Sequence, residues 1–123
     1  LGISIDVLHA SLQHINNLFE NATDYIDKGK WVELGFFMAT SFSGALRGEE
    51  TVKIDLYNLQ VHLNDALNQD TPFVPIPLIG KFKGETGTRH HIIPIAALTR
   101  TGINNGLWAK RIIAHRRGEG RER

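Results

Sequence analysis

The stretch Phe73-Val-Pro-Ile-Pro-Leu-Ile79 limits the fold of this chain more than any other. It is short, apolar and rich in β-branched residues, which suits a strand. Pro75 and Pro77 lie two apart, so both missing N–H groups face the same side of an extended chain. A strand with one unpaired edge tolerates that arrangement, and a central strand does not. Gly84-Glu85-Thr86-Gly87 then supplies turn chemistry, and Arg89 to Ile95 forms a second apolar-rich run. The expectation is an antiparallel hairpin pairing 73–79 with 89–95, with Lys81, Lys83 and Arg89 near its tip.

The remainder reads mainly as helix. Leu8, Leu12, Ile15 and Phe19 recur at helical spacing, which predicts an amphipathic helix over about residues 4–20. Asn21 and the Asp24–Gly29 stretch are turn-type residues expected to interrupt it. Trp31 to Leu46 is apolar almost all round and reads as a buried helix, which the polar group Arg47-Gly48-Glu49-Glu50 ends. Val52, Leu56, Leu59 and Leu63 keep helical spacing, but Leu59, Val61 and Leu63 also alternate, so helix and short strand both stay open. A last helix is expected from about Ile103 to His115, with Lys110 and Arg117 on one face, and Trp31 and Trp108 are expected as core anchors. With no repeat and no linker, the 123 residues form one α+β domain, mainly helical with a small antiparallel sheet around residues 73–95.

Composition removes several classes of function. The chain has no cysteine, which excludes disulfides, thiolate metal sites and cysteine nucleophiles, and which fits a reducing compartment. No apolar run approaches the roughly 20 residues of a bilayer-spanning helix, so no membrane partner is expected. The chain opens on Leu1 and reads as an internal piece of something longer. Its net charge of +1 hides an asymmetry: residues 1–77 carry four Lys/Arg against ten Asp/Glu, a net of −6, and residues 78–123 carry ten against three, a net of +7. A basic half suggests a face for a polyanion, and a basic tail that only aids solubility is the alternative. His90-His91 is not expected to bind metal, because adjacent strand residues face opposite ways and no third ligand is evident.

Ser43-Gly44-Ala45-Leu46-Arg47-Gly48-Glu49-Glu50, followed by Ile54, resembles the first catalytic box of the tyrosine recombinases, the phage integrase-like DNA breaking–rejoining enzymes. Arg47, Glu50 and Ile54 keep that box's offsets, with Ala45 as one extra residue between the glycine and the leucine. Lys81-Phe-Lys83-Gly-Glu-Thr-Gly-Thr-Arg89-His-His-Ile-Ile-Pro94 is similar to the family's lysine-bearing hairpin. The resemblance covers roughly residues 30–113 in element order.

The resemblance implies that Arg47 clamps two non-bridging phosphate oxygens with its fork of donors. It also implies that Lys83 protonates the departing 5′ oxygen as general acid, with Lys81 ranked second. Glu50 would brace the box, and no metal or other cofactor is required. Lys81, Arg89, Lys110 and Arg117 are the residues expected to contact double-stranded DNA. The chain departs from the pattern at Glu85, which stands where the family lysine directly precedes Thr-Gly. Lys83 lies two residues earlier, on the same face of an extended strand.

The His-x-x-Arg box and the tyrosine nucleophile are missing from residues 1–123, and Tyr25 and Tyr57 flank the first box rather than following it. The chain is thus expected to be the front part of a catalytic domain, inactive alone. It would sit inside the cell with DNA, in nucleus or nucleoid, and the full-length parent would be capable of self-association. A non-catalytic DNA-binding module, and a helical interaction protein with an incidental basic tail, are the rival readings.

Overall fold

Ser4 opens the first helix, α1 (Ile5–Asn21), by accepting a hydrogen bond from the Val7 N–H at 3.2 Å. Leu8, Leu12 and Ile15 form its buried stripe, as the spacing predicts. The computed structural model describes residues 4–46, 48–51, 53–80 and 89–118, with backbone alone at 80, 89 and 90. A short connection leads to α2 (Tyr25–Gly44), which begins earlier than the sequence suggests. Asp24 is its N-cap, accepting from the Asp27 N–H at 3.2 Å, so the polar stretch after Asn21 is a cap and a first helical turn rather than a long break. A glycine stands at position 29 of this helix because the His115 ring passes close by: a Cβ there would lie 2.4 Å from Nε2 of His115. The apolar surround of α2 is only partly buried. Val32, Phe36, Ala39 and Thr40 face inward, while Leu34 and Phe42 remain exposed.

Ala45 ends α2 with a left-handed conformation, φ 53°. The Leu46 N–H reaches back to the Ser41 carbonyl at 2.9 Å and the Ala45 N–H to Phe42 at 3.4 Å, a Schellman-type closure. A single turn, α3 (Gly48–Thr51), follows. The ambiguous segment after it is a helix, α4 (Leu56–Leu67), capped by Asp55, whose carboxylate accepts from Tyr57 and Asn58. Leu59, Leu63 and Ala66 are buried, and Val61 is 53% exposed. A strand would have placed Val61 beside Leu59 and Leu63; the helical twist turns it to solvent.

Strands β1 (Phe73–Gly80) and β2 (Arg89–Ala96) pair antiparallel with Val74 opposite Ile95, Ile76 opposite Ile93 and Leu78 opposite His91. The hairpin expected from the proline spacing is therefore present. Val74, Ile76, Leu78 and Ile95 face the core. The outer edge of β1 is engaged at one end: the Ile79 N–H donates to Lys53 at 2.9 Å and the Pro77 carbonyl accepts from the Asp55 N–H at 2.8 Å. Pro75 and Pro77 share that outward parity, so neither missing N–H breaks the β1–β2 ladder.

The last helix, α5 (Asn105–Arg116), starts two residues after the expected Ile103, since Asn104 caps it by accepting from the Leu107 N–H at 2.9 Å. Trp108, Ala109, Ile112 and Ile113 are buried, with Trp108 the anchor its size suggests. Mainly helical, with one small antiparallel sheet, the described residues form the expected α+β arrangement.

Ala45 occupies a backbone region that costs a side chain with Cβ roughly 1 kcal/mol. Ala45→Gly is expected to raise stability by about 0.5–1 kcal/mol, read as a higher urea midpoint with an unchanged m-value. An unchanged or lowered midpoint would contradict a left-handed helix ending at Ala45.

Candidate nucleic-acid interface

Arg47, Lys81, Lys83 and the Arg89 side chain lie outside the described residues, as does the expected convergence of Arg47 with Lys83. The flanks of both segments are described. Just past the box, Lys53 and Asp55 hydrogen-bond to Ile79 and Pro77, and Ile54 lies opposite Leu78. The chain leaving the box is thus stitched to the strand that leads into the lysine segment. Glu50 is half-buried in α3, and its carbonyl accepts from the Lys53 N–H at 3.0 Å; the described residues of the box comprise a helix end, a left-handed residue and one helical turn.

The end of α2 that delivers the box is fixed by a residue to which sequence reading gave no role. Asn105 is fully buried. Its Nδ2 donates to Ser43 Oγ at 2.9 Å and to the Ala96 carbonyl at 3.0 Å, joining α2, β2 and α5. Ser43, which opens the recombinase-like box, therefore has its hydroxyl turned to a structural partner. The Asn104-Asn105 doublet was the available signal: one asparagine caps the helix and the next is internal.

Lys110 and Arg117 are both exposed, Lys110 beside a shallow groove with Leu67, Ala97, Asn104 and Leu107. Ala97 directly follows β2, so Lys110 lies near the open end of the hairpin. From that end β1 runs eight residues to Gly80, roughly 25 Å at the usual rise. Lys110 thus lies at the opposite end of the sheet from Gly80 and Arg89, whose backbones flank residues 81–88.

Arg111, adjacent to Lys110, has another task. Its guanidinium stacks over Phe19 at 4.5 Å and Trp108 at 4.8 Å and donates to Asn16 Oδ1 at 2.6 Å. Burial lowers its pKa, against the opposing attraction of Glu20. It belongs to the packing of α5 on α1, not to an exposed cationic face.

Tyr25 stacks on His115 with ring centroids 3.9 Å apart, and its hydroxyl donates to the His115 carbonyl, tying the start of α2 to the end of α5. Tyr57 is 68% exposed at the head of α4. His91 lies on the core-facing side of β2, opposite Leu78, and the His90 side chain lies outside the described residues. Among the described residues no group of three His, Cys, Asp or Glu side chains is arranged to hold a metal. No described helix is long and apolar enough to cross a membrane.

Comparison with protein-family models, with curated proteins and with solved structures returned no match.

Burial pushes the His115 pKa below its ordinary value, with Glu33 opposing. The folded chain therefore favours the neutral ring. The associated stability is complete above the unfolded pKa of about 6.5 and is lost as pH falls through the lower folded value. Stability is expected to decline on acidification over that window, and the decline should be shallower in His115→Phe, which keeps an aromatic ring in the stack. Identical pH slopes for the two proteins in urea titrations would remove His115 as the cause.

Proposed function

We propose that this chain is the front part of a tyrosine recombinase-like catalytic domain, serving DNA recombination or integration by strand cleavage and rejoining through a phosphotyrosine. The observation that supports this best is the backbone tie of Lys53 and Asp55 to Ile79 and Pro77. A phosphate clamp needs cations from segments distant in sequence to meet, and this tie draws together the described flanks of the Arg47 box and of the lysine hairpin. The element order of helix, box, helix, hairpin and helix accompanies it.

In this reading a tyrosine oxygen attacks the phosphorus and the 5′ oxygen departs. Arg47 stabilises the charge gathering on the non-bridging oxygens, and Lys83 (or Lys81) gives the leaving oxygen its proton. Glu50 braces the box. Lys81, Arg89, Lys110 and Arg117 hold the DNA backbone, a role that carries little sequence information. Tyr25 is unsuited as nucleophile, since its hydroxyl already donates to His115 and helps join two helices. The nucleophile is expected from a segment outside residues 1–123.

The 123-residue chain is expected to bind duplex DNA weakly. If four cations reach phosphates, log affinity should fall against log salt with a slope of roughly −3 to −4. It should form no covalent adduct on a nicked suicide substrate, because transition-state cations do not replace a nucleophile. A longer product of the parent gene should form the adduct, and Arg47→Ala should cut its rate by about 10²–10³. DNA binding with no adduct from the longer protein would favour the non-catalytic module. Absence of salt-sensitive binding would favour an interaction protein with an incidental basic tail.

A further inference from the structure

Asn105-Gly106 is the chain's single Asn-Gly pair, and it is placed at the first turn of α5. In an open chain such a pair reacts with itself. The Gly106 backbone nitrogen attacks Cγ of Asn105, a new C–N bond closes a five-membered succinimide, and the bond to Nδ2 breaks to release ammonia. Water then opens the ring at either carbonyl, leaving aspartate or isoaspartate, so the net change is one water gained and one ammonia lost. Glycine promotes the first step because no side chain hinders the attacking nitrogen.

The fold obstructs every part of that reaction. Asn105 is fully buried, so its amide is shielded from the water that hydrolysis needs. Its Nδ2 is held by Ser43 Oγ at 2.9 Å and by the Ala96 carbonyl at 3.0 Å, which fixes the rotamer. The attacking nitrogen is engaged as well: the Gly106 N–H donates to the Ala97 carbonyl at 3.0 Å. Helical backbone also holds that nitrogen away from the side-chain carbon it must reach.

The product does not fit the same place. An aspartate has no N–H for the Ala96 carbonyl and would set a buried negative charge against that oxygen. An isoaspartate adds a methylene to the main chain where α5 begins, breaking the helical repeat. We propose that Asn105 is a spontaneous modification site sealed by the fold, opened by unfolding, and able to make that unfolding irreversible. The inference is independent of what the chain acts on.

The 123-residue protein, incubated at mildly alkaline pH with and without denaturing urea, provides the test. Peptide mass spectrometry with isoaspartate detection follows conversion at position 105, and circular dichroism after dilution follows recovery of the fold. Conversion in urea should exceed conversion in buffer by about 10³ or more, because the native protein reacts only through its unfolded fraction, typically 10⁻³–10⁻⁶. Refolding yield should fall in step with conversion. Gly106→Ala is the second variant: its Cβ would meet Ala97 Cβ and Leu67 Cδ2 at 3.4 Å, ordinary contact, so the fold should survive. It should convert many-fold more slowly in urea and keep its refolding yield. Equal conversion rates in folded and unfolded protein would overturn the seal. Full refolding of converted chains, or loss of refolding in Gly106→Ala at the wild-type rate, would overturn the link to irreversibility.

Discussion

Trp108 can lie inside this domain only because Gly35 has no side chain. A Cβ at that position of α2 would stand 2.3 Å from Cζ3 of the indole, well inside any allowed contact. The glycine lets α5 approach α2 and bury the ring, which then meets Phe19 of α1 edge-on at 6.4 Å. Three helices are thereby joined at one aromatic side chain, whose removal from a core of this kind costs about 3–5 kcal/mol. Gly29 repeats the device one end further along, admitting the His115 ring. The hairpin closes the other side of the core through Val74, Ile76, Leu78 and Ile95.

The charge split of the sequence does not carry over into space at this junction. Arg111 comes from the basic half, yet it stacks on Phe19 and is bonded to Asn16 from the acidic half, with Glu20 acting on it. Glu33 acts in the same way on His115. Packing α5 against α1 and α2 interleaves the two halves, so Lys110 and Arg117 are exposed while Arg111 is half-buried. A polyanion would thus meet a patchier surface than the residue counts suggest.

What was legible in the sequence was whatever rests on local backbone rules. Two prolines at strand spacing and a Gly-rich segment mark the hairpin, since a missing N–H has the same consequence wherever the chain goes. α4 stayed ambiguous because Leu59, Val61 and Leu63 fit both periods, and burial alone separates them. Asp24–Gly29 looked like a break because the partner that explains Gly29 is His115, far along the chain and invisible locally. The same limit hid Asn105, whose partners Ser43 and Ala96 belong to other elements, and Arg111, whose role depends on helix phase. Of the candidate site, the flanks and the exposed cations are described, whereas Arg47, Lys81 and Lys83 are outside the described residues.

The parity of the hairpin prolines has a consequence for neighbouring molecules. Pro75 and Pro77 sit on the outer edge of β1, and Pro94 shares outward parity on β2 with Ala96, whose carbonyl accepts from Asn105. Each margin of the sheet is therefore short of donors where an incoming chain would need them. A two-stranded ribbon with two unprotected margins is a template for edge-to-edge growth into fibrils. Here proline removes a donor from each margin, at Pro75 and Pro77 on β1 and at Pro94 on β2, so neither edge offers an unbroken row of N–H groups to an added strand.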